Sequence, residues 1–325
     1  VVVALVGSAA ATACWSSPSD STPNGGIGIK LLEAPVSRRD DPRANLYIID
    51  HLAPGADIHR QVEIGNSSDS IQTVEIYAGA ATVGDAKFAY SEGRTPNELT
   101  TWISFDHPKI DLPAHSTTPV MTTIAVPRSG TTGEQYAVIW AQISAPPTAS
   151  HGLGMNNRVG IRVYLDVGPG GEPPSDFEIE KLTTARSSDG RPEFIAQVRN
   201  TGRRAVDISG SLTLSEGPGS LSAGPFDVTV GSTLAPGDSS PVSVLLNKQL
   251  PNGPWKASLT LKSGLIQKTV SATITFPDEA GKGGAVVLDS GWSLFTWASI
   301  ALAALVVGAG GVVLRHRMKR RRALV

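Results

Sequence analysis

Cys14 is the only cysteine in the 325 residues, so no disulfide can close within the chain and no thiolate cage can hold a metal. A chain without disulfides is held by its packing or by partners, and for an exported protein this fits bacterial rather than eukaryotic secretion. The sequence also lacks a Gly-rich phosphate loop, a G-x-S-x-G elbow and an H-E-x-x-H pair. An excess of positive charge is missing too. Six basic residues fall in the last eleven positions, which leaves 22 basic against 29 acidic residues before them. That balance argues against nucleic acid as a partner. Helix-period stretches are absent outside one C-terminal run, while glycine (34) and proline (23) are plentiful, a composition of strands and turns.

The C-terminal run spans residues 292–314, 23 positions without a charge. At about 1.5 Å of rise per residue such a helix crosses a hydrocarbon core of about 30 Å. Arg315, Arg317, Lys319, Arg320, Arg321 and Arg322 follow it, and Trp292 and Trp297 stand at its other end. Basic residues hold the end they flank in the cytoplasm, and indoles favour the headgroup layer. The expectation is a single-pass type I cell-membrane protein, with everything before Trp292 extracellular and a short cytoplasmic tail. At the other terminus, residues 1–14 are read as the remnant of a signal peptide, with Ala11-Thr12-Ala13 as an A-x-A cleavage site. Two readings of Cys14 stand, removal close to a signal-peptidase cut or lipidation.

Between these ends the predicted fold class is all-β, two tandem immunoglobulin-like β-sandwiches followed by the transmembrane helix. Residues 15–27 read as a disordered linker and 28–168 as the first sandwich. Residues 169–174 form a Gly/Pro linker, 175–277 the second sandwich, 278–291 a polar stalk. In the first sandwich, residues 157–167 alternate Val159, Ile161, Val163, Leu165 and Val167 against Arg158, Gly160, Arg162, Tyr164 and Asp166, one face inward and one outward. Residues 58–64 alternate likewise, with Arg60 placed at the strand's exposed end. Residues 92–101 read as loop or a short helical turn. The second sandwich offers about seven strands, at 177–182, 193–199, 206–214, 226–230, 241–246, 255–262 and 267–276, the spacing of an immunoglobulin-like sandwich. The halves echo one another. Residues 62–66 correspond to the run ending Asn200-Thr201-Gly202, and Leu112-Pro113-Ala114 corresponds to Leu234-Ala235-Pro236.

Chemistry-bearing clusters are few. His51 and His59 are eight residues apart, as are His107 and His115, but turn residues interrupt both pairs. They read either as metal ligands or as surface and turn histidines. No cofactor and no metal site is expected. Tyr77, Phe88, Tyr90, Trp102, Phe105, Tyr136 and Trp140 give the first sandwich most of the aromatics. They serve either as core and cross-strand pairs or as a shallow saccharide or peptide groove, in which rings stack on sugar faces. Tyr77, Tyr90, Trp102 and Tyr136 are the candidate ligand surface. The run Arg38, Arg39, Asp40, Asp41 and Arg43 reads as a solvated loop, or as a contact for an acidic polymer.

Tyr47-Ile48-Ile49-Asp50, Leu52-Ala53-Pro54-Gly55 and residues 62–66 together resemble the opening of the WxL-interacting protein family. Trp102-Ile103, residues 110–112, Ala125-Val126-Pro127, Gly133 with Tyr136, and the strand at 158–167 continue the resemblance in order. In that family an immunoglobulin-like N-terminal module, described as peptidoglycan-binding, precedes a second sandwich, one span and a basic tail. The resemblance implies a Gram-positive surface protein, and the high Ala, Gly and Arg content suggests an actinobacterial relative. The function expected is non-catalytic binding of peptidoglycan or another wall polymer through the first sandwich. One alternative is a scaffold that binds another surface protein through strand edges or the second sandwich. The other is a wall hydrolase or peptidase.

Overall fold

The structure is a computed structural model that describes residues 26–145, 155–228, 232–280, 283–284 and 286–288. The leader, Cys14, the 292–314 span and the basic tail lie outside the described residues, and so do Trp292, Trp297 and the six tail cations. Among the described residues no helix is long and apolar enough to cross a membrane.

The first half builds β1 (Ile27–Leu31), β2 (Ile48–Leu52), β3 (Asp57–Asn66), β4 (Gln72–Gly84) and β5 (Lys87–Tyr90). There follow α1 (Glu98–Trp102), β6 (Ile103–Phe105), β7 (Lys109–Leu112), β8 (Ser116–Ala125), β9 (Gly133–Ala145) and β10 (Met155–Val167). One sheet has the order β1-β3-β8-β6. The other runs β2-β10-β9-β4-β5, with β7 also on β4. β3 pairs antiparallel with β1 and β8, β8 with β6, β9 with β10 and β4, and β4 with β7, whereas β2 pairs with β10 in parallel over Ile48–Leu52.

Alternation sets the faces. On β10, Ile161, Val163, Leu165 and Val167 are buried in the core with Val62, Ile64, Val120, Ile124 and Ile139 from the neighbouring strands. Arg158, Gly160, Arg162 and Tyr164 take the other face, as period two requires. Arg60 is a correction. Its side chain is only 16% exposed and lies on the inward parity of β3. It is tolerated there because Nε and Nη2 donate to the two carboxylate oxygens of Asp50 on β2, at 3.1 and 2.6 Å. The fork-to-carboxylate geometry neutralises the buried charge. Asp41 is likewise buried rather than solvated.

The second half contains β11 (Phe177–Arg186), β12 (Pro192–Asn200), β13 (Val206–Ser215), β14 (Ala223–Asp227) and β15 (Ser232–Leu234). It continues with β16 (Ser239–Leu245), β17 (Trp255–Ser263), β18 (Ile266–Ile274) and β19 (Val286–Leu288). A three-stranded sheet β11-β12-β16 faces its own core of Phe177, Phe194, Val198, Leu212, Trp255 and Phe276, shared with the sheet β14-β13-β17-β18-β19. β15 pairs with β13. The segment expected to be a stalk therefore supplies a strand, with Val286, Val287 and Leu288 antiparallel to Ile274, Thr273 and Ala272. Compactness divides the described residues into those within 26–39, 43–81 and 90–170 on one hand, and those within 40–42, 82–89 and 171–288 on the other.

One buried asparagine recurs in the same role in each half. At the end of β3, Asn66 Oδ1 accepts from the Ser68 N–H at 3.0 Å, while Nδ2 donates to the carbonyls of Ser70 (2.8 Å) and Leu112 (3.0 Å). At the end of β12, Asn200 Oδ1 accepts from the Gly202 N–H at 2.9 Å, and Nδ2 donates to the carbonyls of Arg204 (2.8 Å) and Leu234 (2.9 Å). Each side chain closes its own turn and pins a distant loop. The echo of residues 62–66 and 112–114 in the second half thus has a common hydrogen-bond pattern behind it.

Candidate polymer-binding face

The other face of the β2-β10-β9-β4-β5 sheet, turned away from the core between the two sheets, gathers further aromatics, of which Tyr77, Trp140 and Tyr164 are buried and Tyr90 is exposed. Register places Tyr77 of β4 opposite Trp140 of β9, and Trp140 opposite Gly160 of β10. Glycine at 160 leaves room for the indole. A Cβ there would stand 2.7 Å from Trp140 Cε3 and 2.6 Å from Val138 Cγ1. Gly79, on the other side of β9, gives the same relief, since a Cβ would come 2.9 Å from Trp140 Nε1. The ring is thereby bedded between two backbones, 7% exposed, and its N–H is buried without a hydrogen-bond partner among the described residues.

Cations stack on this bed. Arg158 Cζ lies 4.3 Å from the Trp140 ring centroid and 5.4 Å from that of Tyr90, which meets Trp140 edge-on at 5.1 Å. Arg94 Cζ lies 4.1 Å over the Tyr77 ring, and Arg94 Nη2 donates to Glu75 at 2.6 Å. The Tyr77 hydroxyl donates to Gln142 Oε1 at 2.7 Å and accepts from Arg158 Nη1 at 3.5 Å. Four residues further along β10, about 13 Å at ~3.3 Å per residue, a second group repeats the arrangement. Arg43 stands 5.1 Å over Tyr164, Arg162 stands 5.3 Å over Tyr47, and Tyr47 and Tyr136 pack on Tyr164 with centroids 5.8 and 5.9 Å away. Tyr136 donates to Glu134 at 2.8 Å. A guanidinium over an aromatic face is worth about 0.5–2 kcal/mol.

Of the four aromatics singled out from sequence, Tyr77, Tyr90 and Tyr136 lie on this face. Trp102 does not. It ends α1 and is buried in the core with Leu99, so its place in the ligand surface is withdrawn. α1 is positioned by a capping box in which Asn97 Oδ1 accepts from Thr100 N–H and Thr100 Oγ1 from Asn97 N–H, and Asn97 Nδ2 donates to the Tyr136 carbonyl at 2.8 Å. At its first turn, hydrogen bonds from Thr131, through the side chain and then the backbone, hold the Glu98 carboxyl below its ordinary 4.5. Sequence reasoning weighs Trp140 among seven aromatics but leaves it out of the four candidates, and it misses Arg94, Arg158, Arg162 and Tyr164 as members of the face. The outward half of the β10 alternation, read together with the glycine inside it, was the available signal.

The histidines do not converge. His51 shares 2.6 Å with Asp166 and 3.1 Å with the Gly170 carbonyl; His59 pairs with Asp57, His107 with Asp106 and His115 with Asp69. Among the described residues no group of three or more His, Cys, Asp or Glu side chains is arranged to hold a metal ion.

No protein-family model matches the sequence, so the WxL-interacting resemblance rests on residue order and layout, and no curated protein matches it either. Solved structures do match. The YadV chaperone is 13% identical with a TM-score of 0.42, covering 75% of this chain and 98% of its own. The SafB chaperone with the SafA pilin of Salmonella enterica matches at 8% identity and a TM-score of 0.41, over 75% of this chain and 95% of that one. A PapD-like domain of human CEP192 matches at 12% and 0.28, over 50% and 100%. These are distant likenesses to β-sandwich proteins, and they reach no further.

Proposed function

We propose that this chain is a non-catalytic cell-surface protein that binds a wall polymer, peptidoglycan, through the outward face of its first sandwich. The 292–314 run anchors it in the membrane and the basic tail keeps that end inside. What supports the reading is one sheet face on which arginines lie over aromatic rings, with the exposed Tyr90 beside the half-buried Arg158, a ring and an N–H fork of the kind that engages a sugar ring and its polar substituents. Anchoring adds avidity, because a tethered binder meets the polymer at high effective concentration.

The test is co-sedimentation of residues 26–277 with purified peptidoglycan sacculi at physiological salt. Saturable binding is expected. Tyr90→Ala should weaken it about threefold to tenfold with the fold intact, because Tyr90 is 57% exposed and an aromatic contact is worth about 0.5–1.5 kcal/mol. A folded protein that stays in the supernatant sinks the proposal.

A further inference from the structure

Arg158 is distinguished by what faces it. Arg60 has Asp50, Arg94 has Glu75 and Arg204 has Glu172. Arg158 is half-buried, and among the described residues it meets only two aromatic rings and, at 3.5 Å, one phenol oxygen. The Tyr77 proton is committed to Gln142, so that phenol turns a lone pair toward Arg158 and holds the guanidinium in place without neutralising it. Ring stacking fixes a cation's position but leaves its charge uncompensated and its N–H fork without a carboxylate. Such a fork is shaped for two oxygens of one oxyanion.

Resting on the wall-polymer reading above, we infer that Arg158, bedded on Trp140 and Tyr90, is the seat of an oxyanion carried on a glycan strand. The shared chemistry is a planar or tetrahedral group of negatively charged oxygens beside a sugar ring, either a carboxylate or a phosphate. Trp140 and Tyr90 place an apolar edge next to the fork, so one ligand unit meets both the charge and the rings. The neutral part of the strand then continues past the Trp140 ring, which covers Gly160, toward the half-buried Arg162.

The experiment titrates the full chain, in detergent micelles, with oligogalacturonate, with a poly(glycerol phosphate) oligomer and with neutral dextran oligosaccharide, following tryptophan emission. Trp140→Phe supplies the background, and oligomers held by the tail at 315–322, which has no aromatic residue, drop out of the difference. A saturable change with one charged oligomer and none with dextran is expected, and the responding oligomer identifies carboxylate or phosphate. Arg158→Gln should raise the midpoint about tenfold or more, as loss of a charge-assisted bidentate pair does. Arg158→Lys, which keeps the charge but not the fork, should recover only part and stands in if the Gln variant does not fold. Silence with both charged oligomers, or an Arg158→Gln titration that overlays the wild type, overturns the inference. A chain that answers an oligomer through Arg158 yet ignores sacculi loses the wall reading and keeps the anion seat. Sacculus binding indifferent to Arg158→Gln does the reverse.

Discussion

Gly160 is required for packing, not for backbone freedom. It lies within β10 in full register with Trp140, and the crowding arises from side chains of β9. An added methyl would meet Val138 Cγ1 and the indole at 2.6 and 2.7 Å, well inside any ordinary carbon contact. Alanine elsewhere in a strand is better than glycine by about 0.5–1 kcal/mol. Here overpacking, about 1–3 kcal/mol, outweighs it, and the indole is the group free to move outward. Gly160→Ala should therefore lower the urea midpoint and change the near-ultraviolet circular dichroism of Trp140. It should also weaken polymer binding, because the seat of Arg158 tilts with the ring. An unchanged or raised midpoint would show that Trp140 does not lie against Gly160. The pair Trp140/Gly160 was visible in the sequence as two residues, but not as neighbours, since twenty positions and a hairpin separate them.

Strand ends carry the next set of constraints, and the two asparagine corners show how. Asn66 and Asn200 each terminate a strand, close the turn after it through Oδ1, and tie a loop 46 or 34 residues away through Nδ2. Both are buried. Replacing either by alanine strands one N–H and at least two carbonyls at about 1–3 kcal/mol for each group left unpaired and buried, so a loss of about 3 kcal/mol is expected from denaturant unfolding. Aspartate should be no better than alanine, because it keeps the acceptor and turns its second oxygen on carbonyls. An Asn66→Asp variant as stable as wild type would contradict the assigned amide orientation. The likeness of the two corners was legible as a repeat in sequence, whereas its purpose was not, because the partner carbonyls are remote. The same limit explains the other departures. Alternation identified the inward and outward sets of β10, a local property. It could not distinguish Trp102 from Tyr90, since a short helix delivers the first into the core and a strand edge presents the second. Arg60 was read as a strand end because its neutralising Asp50 belongs to another strand. β19 is three residues among glycines, and only its pairing with β18 makes it a strand.

At the scale of the molecule, charge decides how a polyanion is approached. Residues 26–277 hold 21 basic and 25 acidic residues, a net negative body, while Arg43, Arg94, Arg158 and Arg162 share one face. Body and face therefore act on an anionic strand with opposite signs and over different ranges. The repulsion is long-range and solvent-borne; at about 0.01 M salt the screening length is about 30 Å, and the strand feels the whole body. At about 0.1 M it contracts to about 10 Å and most of that repulsion is gone. The guanidinium contacts are short and partly shielded by rings, so they survive this step and fade only as salt approaches about 1 M. Affinity of residues 26–277 for an anionic wall oligomer should thus rise between about 0.01 and 0.1 M salt and fall beyond it. The rising limb should come from faster association, since net charge acts on encounter more than on the docked complex. Arg158→Gln should keep the rising limb and lower the maximum, because it alters the contact and hardly alters the body. An affinity that falls steadily from the lowest salt would describe a diffuse basic surface instead, and one flat in salt would describe a reader of neutral sugar. Stopped-flow association rates at four ionic strengths, with wild type and Arg158→Gln side by side, separate the three cases.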